Sequence, residues 1–217
     1  MAARIAGIVI VLALLASSLT ATLSGRSLFA SAEGIRFLLA RDWAIAAVLL
    51  AIGLLWERQR LSSFGVYRPT WRDLALGVAG FVVGVLAFGL SGLLVHALHL
   101  NDTSAGIAEL LRMPIALRGA IVLTTGITEE IIFRGYLFER VAALTRNVAA
   151  GAIASLVIFG AAHIGGWGLG GAIQITLWTI VITALYAYSR RLLPCVIMHM
   201  LNDAFAFMVI PLLMLRR

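Results

Sequence analysis

The chain has 217 residues, of which 62% are hydrophobic and only 12% are charged, and its formal net charge is +7. This apolar content exceeds that of an ordinary globular domain, so residues 1–217 are predicted to form one all-α domain, a transmembrane bundle of about seven (six to eight) helices. All 17 basic residues are arginines. They form no basic clusters interleaved with aromatic residues, which excludes a nucleic-acid-binding surface and favours basic cytoplasmic loops.

The N-terminal apolar run covers residues 5–23 and is long enough to cross a bilayer as a helix. A cleaved signal peptide is the alternative, because residues 30–32 (Ala-Ser-Ala) resemble a cleavage site. The length of the run favours a retained first transmembrane helix.

The second predicted helix, residues 35–56, has the least regular pattern of all. Arg36, Arg41 and Asp42 interrupt its first part. Residues 57–73 follow as a polar loop that contains a proline and four arginines.

The third predicted helix covers residues 74–98. It carries Gly80 and Gly84 at a spacing that permits another helix to approach closely. Residues 99–114 are predicted to form a polar loop.

The second half of the chain contains four further predicted helices. Between the second and third of these lies the stretch GGWGLGG (residues 165–171), whose five glycines leave little helix propensity and predict a flexible connection. Pro194 fits the first turn of the last helix, and Pro211 predicts a kink near its end. The four helices are predicted at residues 116–144, 148–163, 172–189 and 192–215.

The arginine distribution predicts the orientation in the membrane. If the loop 57–73 is cytoplasmic, the alternation of spans places four more arginines in the cytoplasm and leaves residues 216–217 outside. That last position violates the rule, so either the final segment does not cross fully or an early span is miscounted. The four cytoplasmic residues are Arg140, Arg146, Arg190 and Arg191.

Ionisable side chains occur inside the apolar helices of this second half at three places. Each such group costs about 2.5–3.5 kcal/mol at the centre of a spanning helix unless it is paired or hydrated, so its presence indicates function. The three polar islands are Glu129, Glu130 and Arg134 in TEEIIFRG; FGAAH, which ends in His163; and HMLND, which contains His199 and Asp203.

Helical spacing predicts how these residues are divided. Glu130 and Arg134 are four positions apart with the acid first, the favoured arrangement for an ion pair. Glu129 is rotated by about 100° from Glu130 and is expected to face a different partner. His199 and Asp203 project from one face. Carboxylates and imidazoles that meet in a dry bundle suit hydrolysis by activated water, and the same groups would satisfy zinc.

Structural roles compete with this interpretation. A buried Glu–Arg pair can serve packing alone, His163 can be a hydrogen-bonded core residue, and His199 with Asp203 can tie two helices together. Residues expected near helix ends or at the membrane interface are His96, His99, Trp43, Trp56, Trp71 and Trp167, and the single cysteine, Cys195, is expected to be buried.

The three islands together match a known family. EEIIFRG fits the pattern E-E-x-x-x-R, FGAAH fits F-x-x-x-H, and HMLND fits H-x-x-x-Asn/Asp. The chain therefore resembles the CPBP intramembrane proteases, the CAAX protease and bacteriocin-processing (Abi) family. The resemblance covers about residues 57–210, with motifs at 129–134, 159–163 and 199–203.

The resemblance implies a role for each motif residue. The glutamate mechanism of the family requires no metal, and we expect no cofactor. The implied roles are a general base that activates water (Glu129), its assistant (His163), an oxyanion hole (His199 and Asp203) and a pair that holds the site together (Glu130 and Arg134).

One position departs from the family pattern. Characterised prenyl-protein proteases of the family have Asn where this chain has Asp203, and a carboxylate can donate to an oxyanion only when protonated or through water. The neighbouring Asn202 is expected to point about 100° away. Asp203 could instead bind zinc, so a zinc metalloprotease is the alternative mechanism; we favour the glutamate mechanism.

The predicted function is an intramembrane endopeptidase that cleaves a membrane-associated peptide or protein. The alternatives are a non-catalytic scaffold or bacteriocin-immunity protein and, third, a proton-coupled transporter. The predicted partners are the lipid bilayer and the peptide substrate. The Lys-free, Arg-rich composition favours a multi-pass protein of a bacterial inner (plasma) membrane, where a prenylated substrate is less expected than a peptide or sorting tail.

Overall fold

The computed structural model describes residues 1–23 and 31–210, and within them the chain is helical and contains no strand. The predicted all-α bundle is confirmed. Its helices are α1 (Ala2–Leu23), α2 (Ala32–Ala51), α3 (Trp71–Ala97), α4 (Ser104–Leu111), α5 (Ile115–Glu129), α6 (Glu139–Thr145), α7 (Val148–Ser189) and α8 (Leu192–Ala204).

Helical turns of other types extend or join these helices. A π-helical segment, Glu130–Phe138, joins α5 to α6 and is called the π segment below. The remaining short elements are π-helical turns at Ile52–Trp56 and Phe205–Val209 and a 3-10 turn at Leu61–Phe64.

Four helical stretches of the described chain are long and apolar enough to cross a membrane. The part of α1 over Ala2–Ala13 is a shorter apolar helix. Pro211, residues 216–217 and Ala30 of the possible cleavage site lie outside the described residues. The four stretches are Ala32–Trp56, Trp71–Ala97, Val148–Ser189 and Leu192–Val209.

The predicted glycine-rich connection is wrong in extent. Two helical stretches of Val148–Ser189 meet at a kink at Gly168 (φ 68°, ψ 179°), so the predicted break is present but much shorter than residues 165–171. Packing limits its length, because Gly170 and Gly171 sit where a side chain would not fit. A Cβ at Gly170 would lie 2.3 Å from the backbone oxygen of Asn101.

The predicted polar loop at residues 99–114 is also wrong in part, because it contains α4. This helix covers the end of α8: Leu110 shares a buried cluster with Phe207 and with Ile121 of α5. At eight residues α4 is too short to be stable as an isolated helix, so tertiary burial rather than propensity stabilises it.

The close approach predicted for α3 is confirmed. A Cβ at Gly80 would lie 2.9 Å from Met198 Sδ, and a Cβ at Gly84 would lie 2.8 Å from both Met198 Cε and Trp178 Nε1. α3 therefore packs directly against α7 and α8, the helices that carry two of the three motifs.

This contact predicts a stability effect. Gly84→Val should lower the free energy of unfolding by about 1–3 kcal/mol, because the indole of Trp178 cannot move aside without disturbing its neighbours. Gly89→Val on the same helix is the control, since a Cβ there meets no atom within 4 Å. Thermal unfolding in detergent measures both, and equal melting temperatures would contradict the close packing.

The loop of residues 57–73 packs against two arginines and the start of α8 at one end of the bundle. Arg140 Nη1 donates to the backbone oxygen of Ser63 at 2.9 Å, and the Leu192 amide donates to Gly65 O at 2.8 Å. Arg191 pairs with Asp73 at the start of α3. Arg140 and Arg191 therefore lie at the same end of the bundle as residues 57–73, while the sidedness itself stays a prediction.

Candidate active site

The most buried part of the site is the ion pair predicted between Glu130 and Arg134. Arg134 Nη1 donates to Glu130 Oε1 at 2.8 Å, and both side chains are fully buried. The guanidinium also lies over the ring of Phe159, 4.6 Å from its centroid, with Nη2 3.5 Å from Thr183 Oγ1. The predicted pair is confirmed, and it lies in the π segment, a helix type that is frequent at functional sites.

Glu130 has a second partner that helical spacing does not predict. His199 Nδ1 donates to the same oxygen, Glu130 Oε1, at 2.8 Å. The acceptor is a carboxylate oxygen, so Nδ1 carries a proton and Nε2 is the atom turned toward the rest of the site. Trp178 packs against the imidazole with a centroid distance of 5.2 Å. Glu130 therefore fixes the ring of a histidine from another helix in addition to neutralising Arg134.

Glu129 lies between the two motif histidines. Its Oε2 is 3.9 Å from Nε2 of His163 and 3.9 Å from Nε2 of His199. His163 Nδ1 donates to Phe159 O at 2.7 Å, which orients Nε2 toward the glutamate. Separations of this length are too long for direct hydrogen bonds and suit a single bridging water.

Exposure separates the two adjacent glutamates. The side chains of Glu129 and His163 are 16% and 17% exposed, whereas those of Glu130 and Arg134 are 0% exposed. An incoming peptide and water can therefore reach Glu129 but not the ion pair beneath it. The spacing argument, which assigned different surroundings to the two carboxylates, agrees with this geometry.

Asp203 completes the group at the base of the site. Its Oδ2 is 3.7 Å from His199 Nε2 and accepts a hydrogen bond from Thr125 Oγ1 at 2.8 Å. Asn202 Nδ2 donates to Asp203 Oδ1 at 3.3 Å, so the expectation that this amide points away is wrong. Both carboxylate oxygens thus accept hydrogen bonds.

Two residues of the site were missed by the sequence interpretation. Thr125 precedes Glu129 by four positions, so it lies on the same helix face, and this spacing was a usable signal. Trp178 lies in the interior of α7 rather than near a helix end, the one tryptophan that was not expected in an interfacial belt. A ring buried at the centre of a membrane helix is a signal of packing against something specific.

The tryptophans and the cysteine outside the three motifs lie only partly where the sequence predicts them. Cys195 is buried, as expected, and Trp56 and Trp71 are 60% and 76% exposed. Trp43 instead lies well inside α2, where its Nε1 donates to Thr124 Oγ1 at 3.0 Å. Its ring is nevertheless 46% exposed, so Trp43 connects the surface of α2 to a hydroxyl of α5.

A zinc site requires several His, Cys, Asp or Glu side chains directed at one point. Within residues 1–23 and 31–210, no group of three or more His, Cys, Asp or Glu side chains is arranged to hold a metal ion. His199 Nδ1 is directed at Glu130, and the remaining separations to Glu129 and Asp203 are 3.9 and 3.7 Å. The zinc mechanism stays an alternative prediction, which the Asp203→Asn variant tests.

Comparison with known proteins agrees with the motif resemblance. Residues 111–205 match the family model described as type II CAAX prenyl endopeptidase Rce1-like, and this stretch contains all three motifs. No curated protein and no solved structure matches the chain significantly. The predicted resemblance to the CAAX proteases is confirmed, and at the level of the family it supports an integral membrane endopeptidase.

Proposed function

We propose that this protein is an intramembrane endopeptidase of the CAAX protease type that hydrolyses a membrane-associated peptide or protein with water activated by Glu129. The observation that carries the proposal is the position of Glu129 Oε2, 3.9 Å from Nε2 of both His163 and His199. Three separate helical segments bring these groups together around an accessible carboxylate. The family match over residues 111–205 supports the same reaction class.

The first step of the proposed mechanism uses the accessible carboxylate as a general base. A water held between Glu129 and the histidine rings transfers a proton to Glu129 as its oxygen attacks the carbonyl carbon of the scissile peptide bond. The Nδ1–H of His163 is held by the backbone oxygen of Phe159, so Nε2 of this ring accepts a hydrogen bond from that water. The proton then passes to the leaving amine as the C–N bond breaks.

The second part of the mechanism stabilises the oxyanion. His199 presents Nε2 to the reacting carbonyl, and the Glu130 carboxylate at Nδ1 stabilises a positive charge on the ring. Arg134 holds Glu130 in turn. This chain of contacts explains why two fully buried charged residues lie directly under the site: they position the oxyanion donor without touching the substrate.

Asp203 is assigned a supporting role in the oxyanion hole. Its oxygens accept hydrogen bonds from Thr125 and Asn202, so the carboxylate acts on the oxyanion through water or through His199 rather than as a direct donor. The Asn found at this position in characterised members can donate directly, which gives a test of the role.

Asp203→Asn should retain or raise the rate of hydrolysis, by up to about tenfold, because an amide donates without first taking up a proton. Initial rates of peptide cleavage measure the effect, with Thr125→Val as a comparison that removes one hydrogen bond to the same side chain. If Asp203 is a zinc ligand instead, Asp203→Asn is inactive, chelator inactivates the wild type, and zinc restores it.

The substrate follows from the location of the site. Glu129 lies on a helix of a membrane bundle, so the peptide must be embedded in or anchored to the bilayer, which we place in a bacterial plasma membrane. The matched family is named for prenyl endopeptidases. A prenylated C-terminal peptide and an unmodified membrane peptide are therefore the two substrate types to compare.

Hydrolysis in ¹⁸O-labelled water distinguishes the proposed function from the alternatives. Purified protein in nanodiscs should release products whose new carboxyl group carries the label, as seen by mass spectrometry, and Glu129→Gln protein should not. A scaffold, an immunity protein or a proton-coupled transporter would produce no cleaved peptide from either protein. Products of equal amount from the Glu129→Gln protein would rule out Glu129 as the base.

A further inference from the structure

Helix α2 contributes a fourth polar group to the interior, outside the three motifs and outside residues 111–205. The buried residues of α2 form one stripe at helical spacing, and an aspartate lies in its middle: Ile35, Asp42, Ala46 and Leu49. An ionisable residue on the inner stripe of a membrane helix indicates function and requires a named partner.

The stripe places this aspartate at the depth of the active site. On one side of it, Ile35 shares a buried cluster with Ile121 of α5. On the other side, Leu49 shares a buried cluster with Ile132 of the π segment. Glu129 lies between these two levels on the facing helix. The residue after Asp42, Trp43, donates from Nε1 to Thr124 Oγ1 at 3.0 Å, five positions before Glu129 on the facing helix.

The neighbouring arginine turns back toward this aspartate. Arg41 Nε and Nη2 both donate to Asp42 Oδ1, at 3.0 and 2.9 Å. Adjacent helical residues do not normally face each other, so the guanidinium has folded around the helix from the edge of the lipid-facing side. The Arg41 and Asp42 side chains are 26% and 11% exposed, which leaves the pair open to one side.

The pair retains unused donors and an unused acceptor. Among the described residues, no group accepts from Arg41 Nη1, and none donates to Asp42 Oδ2. The pair is neutral overall, so it suits an uncharged ligand that offers both a carbonyl oxygen and an N–H group. A peptide unit has this chemistry.

We propose that Arg41 and Asp42 form a binding site for the main chain of the substrate, with Arg41 donating to a backbone carbonyl oxygen and Asp42 accepting from a backbone N–H. The inference rests on the proposed endopeptidase function. A helical segment must unwind before its peptide bond can be attacked, and its freed backbone groups must then be satisfied inside the membrane. The pair beside Glu129 satisfies them and holds the extended segment for cleavage.

The test uses the double variant Arg41→Gln/Asp42→Asn, which removes the pair without stranding one charge. Its KM for a membrane peptide should rise about tenfold, whereas kcat changes less than twofold. A peptide N-methylated at the bound residue lacks the N–H that Asp42 accepts, so its KM should rise less between wild type and double variant than the KM of the unmodified peptide does. Arg36→Gln, an exposed arginine on the same helix, should leave all values unchanged.

Binding to inactive protein tests the site independently of cleavage. In the Glu129→Gln background, the double variant Arg41→Gln/Asp42→Asn should bind a fluorescently labelled membrane peptide about tenfold more weakly. Amidation of the peptide C-terminus should have no effect on its affinity. Equal affinities with and without the pair overturn the inference, and so does an affinity that depends on a free carboxylate. Binding that depends on the pair in a protein that never cleaves would overturn the proposed function alone.

A milder variant tests the binding site if the double variant does not fold stably. If the double variant melts well below wild type, Arg41→Lys keeps the charge next to Asp42 but removes the planar set of donors. It should raise KM and weaken binding several-fold for the unmodified peptide and not for a peptide in which the bound carbonyl is reduced to a methylene. An equal effect on both peptides would show a purely structural role.

Discussion

Replacing Glu129 with glutamine is expected to reduce peptide hydrolysis at least about a thousandfold while the melting temperature stays close to that of the wild type. Glutamine has the same shape but cannot take up the proton of an attacking water, and a positioned base contributes about 10²–10⁴-fold to a rate. No direct hydrogen bond is lost, because the nearest histidine nitrogens are 3.9 Å away. Cleavage rates and thermal unfolding of purified protein measure both effects.

Glu109→Gln is the matched control for this experiment. Glu109 is an exposed glutamate of α4, away from the site, and the same substitution there should change neither rate nor stability. A Glu129→Gln protein that retains most of its activity would rule out Glu129 as the base. A variant that unfolds would show instead that Glu129 has the structural role assigned to Glu130.

The polar residues were the part of the fold and site that the sequence predicted best. In an apolar bundle each ionisable side chain must be satisfied, so spacing alone identified Glu130 with Arg134, now 2.8 Å apart, and placed His199 and Asp203 on one face. Helix positions followed from apolar runs for the same reason, because lipid leaves the backbone few alternatives to a helix.

The contacts between helices were the part that the sequence could not predict. The hydrogen bond from His199 to Glu130 joins residues 69 positions apart, and no periodicity within one helix reports such a pairing. The glycine-rich stretch around Gly168 was predicted as flexible because propensity describes an isolated chain, whereas packing against neighbouring backbone holds it in place. Contacts between residues far apart in the sequence are seen only in the three-dimensional structure.

The residues of α2 illustrate a different limit. Arg41 and Asp42 were interpreted as interruptions of a weak helix, because charges lower the apparent hydropathy of a span. The structure shows that Asp42 lies on the buried stripe of that helix. A charged residue that lowers the hydropathy of a predicted transmembrane helix is therefore a candidate for a functional role, and it does not argue against the helix.

Arg134→Ala is expected to lower the free energy of unfolding by about 3–5 kcal/mol, because it leaves the fully buried Glu130 carboxylate without its main counter-charge. Glu130→Gln should have a similar but smaller effect, since the glutamine oxygen can still accept from both Arg134 and His199. Chemical or thermal unfolding in detergent measures the losses. Arg112→Ala, an exposed arginine between α4 and α5, is the control and should be neutral.

Removing both charges together separates stability from activity. Glu130→Leu/Arg134→Leu should recover much of the stability lost in Arg134→Ala, because apolar side chains of similar size replace a buried ion pair at little cost. It should remain inactive, because His199 loses the carboxylate that fixes its ring, bonded at 2.8 Å. An active double variant would contradict the positioning role of Glu130. If Arg134→Ala melted at the same temperature as Glu129→Gln, the division between a supporting pair and a reacting glutamate would be wrong.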